Sequence, residues 1–135
     1  MAKLTKAAWL FGAAIALGAF APGAALPDEE KLYQVQEGNK VDAATLDGWR
    51  TWRALACERC HGNQQQGLVG PSLLEALKRL SRDEFKATVL KGRPEKGMPN
   101  FDGSKMVTEN INGLYAYLKG RSDGAIKPGH LYPMK

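Results

Sequence analysis

The stretch "ACERCHG", residues 56–62, contains both cysteines of this 135-residue chain and one of its two histidines. Three kinds of chemistry use Cys57, Cys60 and His61 at this spacing: a redox dithiol, half of a zinc site, or covalent attachment of a haem. The surrounding sequence discriminates among the three.

The redox reading requires the cysteines at the N-terminus of a helix, where the helix dipole lowers the pKa of a thiol. Here they follow a helical pattern instead. One side of the stretch after Asp42 carries apolar residues at spacings of three and four, which predicts a helix over 43–57 with Asp42 as its N-cap. These residues are Ala44, Leu46, Trp49, Trp52, Leu55 and Ala56. The cysteines therefore lie at the wrong end of this helix for a reactive thiolate.

The zinc reading lacks ligands, because His130 is the one other Cys or His in the chain and a structural zinc site needs four ligands. A disulfide between Cys57 and Cys60 would leave His61 unexplained. Cys-x-x-Cys-His is the attachment pattern of c-type haem, in which the thiols bond to the haem vinyl groups. The motif therefore predicts one covalently bound haem with His61 as an iron ligand.

The first 25 residues have the plan of a secretory signal peptide. Lys3 and Lys6 precede the apolar stretch 7–20, and the small residues Gly23 and Ala25 suit cleavage after position 25. The apolar stretch is shorter than the ~20 residues that a membrane-spanning helix needs, although an uncleaved anchor is the alternative. We expect export, to the periplasm in a Gram-negative source, and no stable membrane span.

Composition limits the mature chain to one small, mainly helical domain, because few segments alternate apolar and polar residues. We divide it into an N-terminal extension at 26–41, a haem domain at 42–120 and a tail at 121–135. The chain has a net charge of +5, and residues 57–135 carry an excess of bases. That excess favours docking on an acidic protein surface. The lack of a basic helix with interleaved aromatic residues argues against nucleic-acid binding.

A second iron ligand could be Met98, Met106, Met134 or His130, or the position could be open. Met98 lies in "KGRPEKGMPNF", residues 91–101, whose prolines and glycines exclude a regular helix. Such an irregular strap can present a thioether to a flat cofactor, whereas Met106 can simply fill core. The pattern favours Met98, with His130 second. Ligation by histidine and methionine fills both axial positions, which favours electron transfer over catalysis.

Three further helices are predicted, which gives about four in total. Ser72, after Pro71, begins the short helix "SLLEALKRL", with Leu73, Leu74, Leu77 and Leu80 facing inward. Ser81 and Glu84 form a capping box for a helix over 82–90 that carries Phe85 and Val89.

Thr108 is predicted to cap the last helix, and Gly120 to end it. Residues 32–41 predict a minor hairpin around "EGN", and the tail "SDGAIKPGHLYPMK" is expected to be irregular.

Residues 42–120 resemble the class I, mitochondrial-type cytochrome c family. Gly48 and Trp52 resemble its Gly-x-x-x-aromatic pattern on the first helix, which crosses the last helix near paired aromatics, here Tyr115 or Tyr117. Trp52 stands five residues before Cys57, where four is common.

The family's other motifs are present too. "CERCH" matches the haem motif with Cys57, Cys60 and His61, and "GPSL" resembles the Gly-Pro-x-Leu whose proline carbonyl orients the ligand histidine. This resemblance implies that role for Pro71 and, through "GMPNF", the distal-ligand role for Met98. It implies an all-α fold wrapped around one haem c.

The segments "VDAATLDGWRTWRALACERCHG", "LKGRPEKGMPNF" and "GLYAYLKGRSDGAI" are similar to small periplasmic cytochromes that serve quinoprotein (PQQ-dependent) alcohol and methanol dehydrogenases. The resemblance implies a monomeric carrier that takes single electrons from the dehydrogenase and passes them to an oxidase or a second cytochrome. Two alternatives are a haem subunit of a larger complex and a small haem peroxidase. Lys86, Lys91, Arg93 and Lys96 are expected to ring the exposed haem edge, unless they form a merely solvated face.

Overall fold

The computed structural model describes residues 31–135, so the predicted signal peptide at 1–25 and residues 26–30 of the predicted extension lie outside the described residues. The described chain has five α-helices: α1 Ala43–Ala54, α2 Glu58–His61, α3 Leu73–Ala76, α4 Arg82–Lys91 and α5 Lys105–Ser122. Three two-residue strands accompany them: β1 Val35–Gln36, β2 Lys40–Val41 and β3 Tyr132–Pro133. The mainly helical fold and the minor hairpin are as predicted, and α2 is the additional helix.

Helix α1 begins where the sequence predicts, because the Asp42 carboxylate accepts the Thr45 N–H at 2.9 Å. It ends three residues earlier than predicted, at Ala54. The cause is Ala56, which has a φ of +52° and turns the chain into the left-handed region. Cys57 therefore precedes the single turn of α2 rather than ending α1.

Helices α1 and α5 cross at two glycines. A Cβ atom placed on Gly48 would lie 2.0 Å from the carbonyl oxygen of Gly113, so the two backbones are in direct contact. Beside this crossing the Trp52 and Tyr117 rings lie 6.4 Å apart. Tyr115 instead packs 5.3 Å from Phe85 of α4, so Tyr117 is the aromatic partner of Trp52.

The capping box of α4 is present as predicted, but both predicted ends of α5 are wrong. Ser104, not Thr108, caps α5, and the Thr108 hydroxyl bonds within the first turn to the Lys105 carbonyl. Gly120 does not stop the helix, which continues to Ser122. A Cβ on Gly120 would lie 2.5 Å from the Ile126 side chain, so this glycine serves close packing.

The C-terminal tail is not irregular throughout, which corrects the prediction. Strand β2 pairs antiparallel with β1 and parallel with β3, and this pairing ties the tail to the N-terminal hairpin. Val41, Ile126 and Leu131 are fully buried in the same hydrophobic core as the helices. Within residues 31–135, no helix is both long and apolar enough to cross a membrane.

Candidate haem site

A cavity of about 590 Å³ opens between the helices and is lined by all five predicted site residues, namely Cys57, Cys60, His61, Pro71 and Met98. Its volume is typical of cofactor sites. Most of the remaining wall is apolar and includes Trp52, Leu55, Leu73, Leu80, Phe85, Val89, Phe101, Val107, Leu114 and Leu118. Of the four leucines predicted to face inward around α3, Leu73 and Leu80 line this cavity and Leu77 fills the core, whereas Leu74 belongs to neither.

The His61 ring is held in one orientation. Its Nδ1 lies 2.9 Å from the carbonyl oxygen of Pro71. Because a carbonyl oxygen can only accept, Nδ1 carries the proton and donates it, which leaves the Nε2 lone pair available. Gly70 also lies against the ring, since a Cβ there would come within 3.0 Å of the imidazole Cε1. Gly70 and Pro71 belong to the "GPSL" segment that was predicted to orient His61, and both residues contact the imidazole ring.

Both cysteines carry free thiols. Burial, followed by the nearby Glu58 carboxylate, raises the pKa of the Cys57 thiol to about 11. A redox dithiol needs a thiol pKa well below the ordinary value, so this environment opposes the dithiol reading. Two free thiols on the wall of an apolar cavity are the donor set that thioether attachment requires.

Met98 is positioned by a tight turn. The Arg93 N–H donates to the Met98 carbonyl at 2.8 Å, and the Met98 N–H donates to the Arg93 carbonyl at 3.1 Å. A 3₁₀ turn at Pro94–Lys96 and a left-handed Gly97 close this loop. The strap is therefore hydrogen-bonded to itself at the residue that bears the thioether.

The other candidates for the second ligand lie elsewhere. Met106 is exposed on α5, and Met134 lines a separate hollow beside the hairpin. The His130 ring packs 4.8 Å from the ring of Trp49, away from the cavity wall. Of the four candidates, Met98 alone lines the cavity with His61.

Sequence reasoning missed a buried polar cluster beneath the loop at 63–70. Gln65 and Arg121 are buried, and the Gln65 side-chain amide donates to the Tyr117 hydroxyl at 3.2 Å. Burial raises the pKa of the Tyr117 hydroxyl to about 12. The available signal was the four-residue spacing of Tyr117 and Arg121 on one helix face, which the misplaced end of α5 at Gly120 obscured.

The surface near the cavity combines bases with exposed apolar side chains. Arg93 and Lys96 line the cavity, and neither forms an ion pair with any residue of the described chain. Val69, which is 83% exposed, lines it too, and the neighbouring Leu68 is 72% exposed. A partner at this cavity would meet both kinds of side chain.

The comparisons with known proteins identify the family. Residues 43–118 match the family described as "Cytochrome C oxidase, cbb3-type, subunit III". Cytochrome c-555 of Methylococcus capsulatus is 48% identical over 92 residues, which cover 67% of this chain and 73% of that protein. This chain is a c-type cytochrome. The family carries haem c covalently, and the free thiols and apolar cavity described above fit that group.

Two further relatives agree with this assignment. Cytochrome c55X of Pseudomonas aeruginosa is 46% identical over 48 residues, a segment that spans 35% of this chain and 40% of that protein. The crystal structure of the c-type cytochrome XoxG from Methylobacterium extorquens AM1 matches with a TM-score of 0.67 and 31% identity. That match covers 81% of this cytochrome and 76% of XoxG. The cytochrome fold predicted from the motifs is therefore confirmed.

Proposed function

We propose that this cytochrome is a periplasmic single-electron carrier with one haem c, reduced by a quinoprotein alcohol or methanol dehydrogenase and oxidised by an oxidase or a second cytochrome. The observation that carries the proposal is the convergence of Cys57, Cys60, His61 and Met98 on one cavity. The choice of donor is supported by the sequence resemblance described above. Similarity to cytochrome c-555 and XoxG is consistent with it.

In this proposal Cys57 and Cys60 would hold the haem through thioethers, and His61 Nε2 and Met98 Sδ would bind its iron. A haem c held there would supply a one-electron change in iron valence, and the Met98 side chain as ligand would raise the reduction potential of the iron. Pro71 holds the imidazole by its Nδ1 proton, and such a contact fixes ring orientation and tunes ligand basicity. The apolar wall excludes water from the site.

The ligand pair also argues against the peroxidase alternative. If His61 and Met98 both bind the iron, no open site would remain for peroxide. Met98 would have to leave, and its loop is closed by two backbone hydrogen bonds with Arg93. We therefore propose an electron carrier rather than an enzyme.

Docking is proposed to use the surface around the cavity. Of the four bases predicted there, Arg93 and Lys96 line the cavity, whereas Lys86 and Lys91 of α4 do not. None of the four is ion-paired within the described chain, and they would steer an acidic partner. Leu68 and Val69 would form the apolar contact that excludes water once the partner has arrived. Weak, small interfaces of this type suit redox encounters.

To test the donor assignment, the ferric holoprotein is mixed with a purified quinoprotein alcohol dehydrogenase, and the haem absorbance is recorded over time. We expect reduction when alcohol is added and none in the matched mixture without alcohol. The donor assignment is refuted if the dehydrogenase still reduces an artificial acceptor but leaves the cytochrome ferric. Sequencing of the exported protein tests the localisation, since removal of the predicted signal peptide would give a chain that starts at Leu26.

A second candidate function is a haem subunit of a larger respiratory complex, because the matching family description names an oxidase subunit. Size-exclusion chromatography of a cell extract separates the two functions. A freely diffusing carrier should elute near the 14.7 kDa of the full chain or somewhat below it, whereas a subunit should elute with an assembly.

A further inference from the structure

Arg121 is a buried cation that contacts the loop at 63–70, and it has no role in the function proposed above. It lies in the last turn of α5 and is 8% exposed. Its guanidinium donates to the Gln65 side-chain carbonyl at 2.7 Å, the Ile126 carbonyl at 2.5 Å and the Gln64 carbonyl at 3.3 Å. No carboxylate in residues 31–135 forms an ion pair with it. Burial of a charge without an opposite charge is costly, so its contribution lies in these three hydrogen bonds.

Gln65 accepts one of these three hydrogen bonds and is itself constrained. It is 1% exposed and has a φ of +63°, a left-handed conformation that is strained in a residue other than glycine. Both ends of its side-chain amide are engaged, the oxygen by Arg121 and the nitrogen by the Tyr117 hydroxyl at 3.2 Å. Tyr117 and Arg121 lie one turn apart, so a single face of α5 holds Gln65 in its strained conformation.

The backbone of Gln65 connects this contact to the ligand histidine. Its carbonyl accepts the N–H groups of Leu73 at 2.9 Å and Leu74 at 3.4 Å, at the start of α3. This start of α3 follows Pro71 directly, and the Pro71 carbonyl accepts the His61 Nδ1 proton at 2.9 Å. A displacement of Gln65 would therefore move the segment that orients the imidazole.

We propose that Arg121 and Gln65 are positioning residues for His61, acting through the start of α3 and the Pro71 carbonyl. The proposal rests on the proposed role of His61 as an axial ligand. The group bonded to the second ring nitrogen sets the basicity and orientation of a ligand histidine. A looser Pro71 carbonyl should therefore change the electronic properties of the iron as well as the stability of the fold.

The test compares holoprotein variants by thermal stability, reduction potential and the hydrogen-exchange rate of the His61 Nδ1 proton measured by NMR. Arg121→Met should accelerate that exchange by about tenfold or more and shift the potential, because the Gln65 oxygen loses its charged donor. Gln65→Glu should keep the exchange rate near wild type, since one carboxylate oxygen can accept from Arg121 and the other from the Tyr117 hydroxyl.

Tyr33→Phe is the matched control. It removes a 2.8 Å side-chain hydrogen bond to Asp123 just after α5, a bond that involves neither Gln65 nor Arg121. It should lower thermal stability and leave the exchange rate and the potential unchanged.

The proposal is overturned if Arg121→Met lowers stability but matches Tyr33→Phe in exchange rate and potential, or if the His61 Nδ1 proton exchanges as fast in Gln65→Glu as in Arg121→Met. If Arg121→Met yields no holoprotein, Arg121→Lys decides on the same criteria, because lysine keeps the cation but lacks the planar fork. The ligand assignment fails separately, if the wild-type ferric protein shows no His61 ring signals shifted by the iron.

Discussion

Gly48 of α1 and Gly113 of α5 bring two helix backbones into direct contact. A Cβ on Gly113 would lie 2.1 Å from the carbonyl oxygen of Ala44, just as a Cβ on Gly48 would lie 2.0 Å from that of Gly113. The contact places Trp52 and Tyr117 side by side, and Trp52 lines the cavity. The distance between these two helices therefore affects the shape of the site.

Gly48→Ala should lower the free energy of unfolding by about 2 kcal/mol or more, because an added methyl group forces the helices apart. Thermal unfolding of the holoprotein measures this change. Gly103→Ala is the control and should be close to neutral, since no atom lies within 4 Å of a Cβ at that position. Equal stability of the two variants would contradict the close crossing.

Cys57→Ala and Cys60→Ala should each prevent normal attachment through two thioethers, because each thiol forms one bond. The expected products are unstable protein, or haem that acidified organic solvent extracts. Mass spectrometry of the exported chain and a pyridine haemochrome spectrum detect both outcomes. A normal yield with a normal covalent spectrum for Cys57→Ala would refute haem attachment at this motif.

Met98→Ala should retain haem, lower the reduction potential and allow imidazole or carbon monoxide to bind, because the thioether favours ferrous iron. The weak far-red band of ferric methionine ligation should disappear. Met106→Ala is the matched control, since Met106 is exposed on α5, and it should keep the native spectrum. A native spectrum for Met98→Ala together with an altered one for His130→Ala would identify His130 as the ligand.

The double substitution of Arg93 and Lys96 to glutamate should slow association with an acidic donor at low salt by about tenfold and leave the haem spectrum unchanged. Stopped-flow reduction between 0.01 M and physiological ionic strength tests this, because the Debye length falls from ~30 Å to ~8 Å over that range. The control is the same double substitution to glutamate at Lys40 and Lys127, which do not line the cavity. Equal reduction rates for both double variants would show that Arg93 and Lys96 are merely solvated and do not steer the partner.

Asp42→Ala should remove about 1 kcal/mol of stability near neutral pH, because Asp42 caps α1. Burial alone would raise the pKa of this carboxyl, but the hydrogen bonds from Gln34 and Thr45 outweigh burial and lower it. A lowered folded-state pKa gives stability that is present above the unfolded value of about 3.9 and lost as pH falls through the folded pKa.

The stability difference between wild type and Asp42→Ala should therefore shrink in acid. Asp47→Ala is the control, since Asp47 lies on the exposed side of α1 in an ion pair with Arg50. It should change stability by less than about 0.5 kcal/mol at any pH. A constant difference for Asp42→Ala across the acid range would show that its carboxylate does not stabilise the fold.

The amino-acid sequence alone determined the features that depend on neighbouring residues. The spacing of Cys57, Cys60 and His61 specifies the attachment chemistry, because the two bonds and the ligand must reach one flat group. The cap at Asp42 and the capping box of Ser81 with Glu84 were predictable, since each side chain satisfies backbone groups within three residues of itself.

Tertiary structure decided what depends on contacts between distant segments. Ser104 and Thr108 are both residue types that cap helices, and the longer helix from Ser104 forms with Val107 buried in the core. The tail forms a strand because β2 offers it a partner some 90 residues earlier in the chain. The contacts of Arg121 with Gln65 join positions 56 residues apart, and no local pattern predicts them because burial decides whether such polar groups must pair.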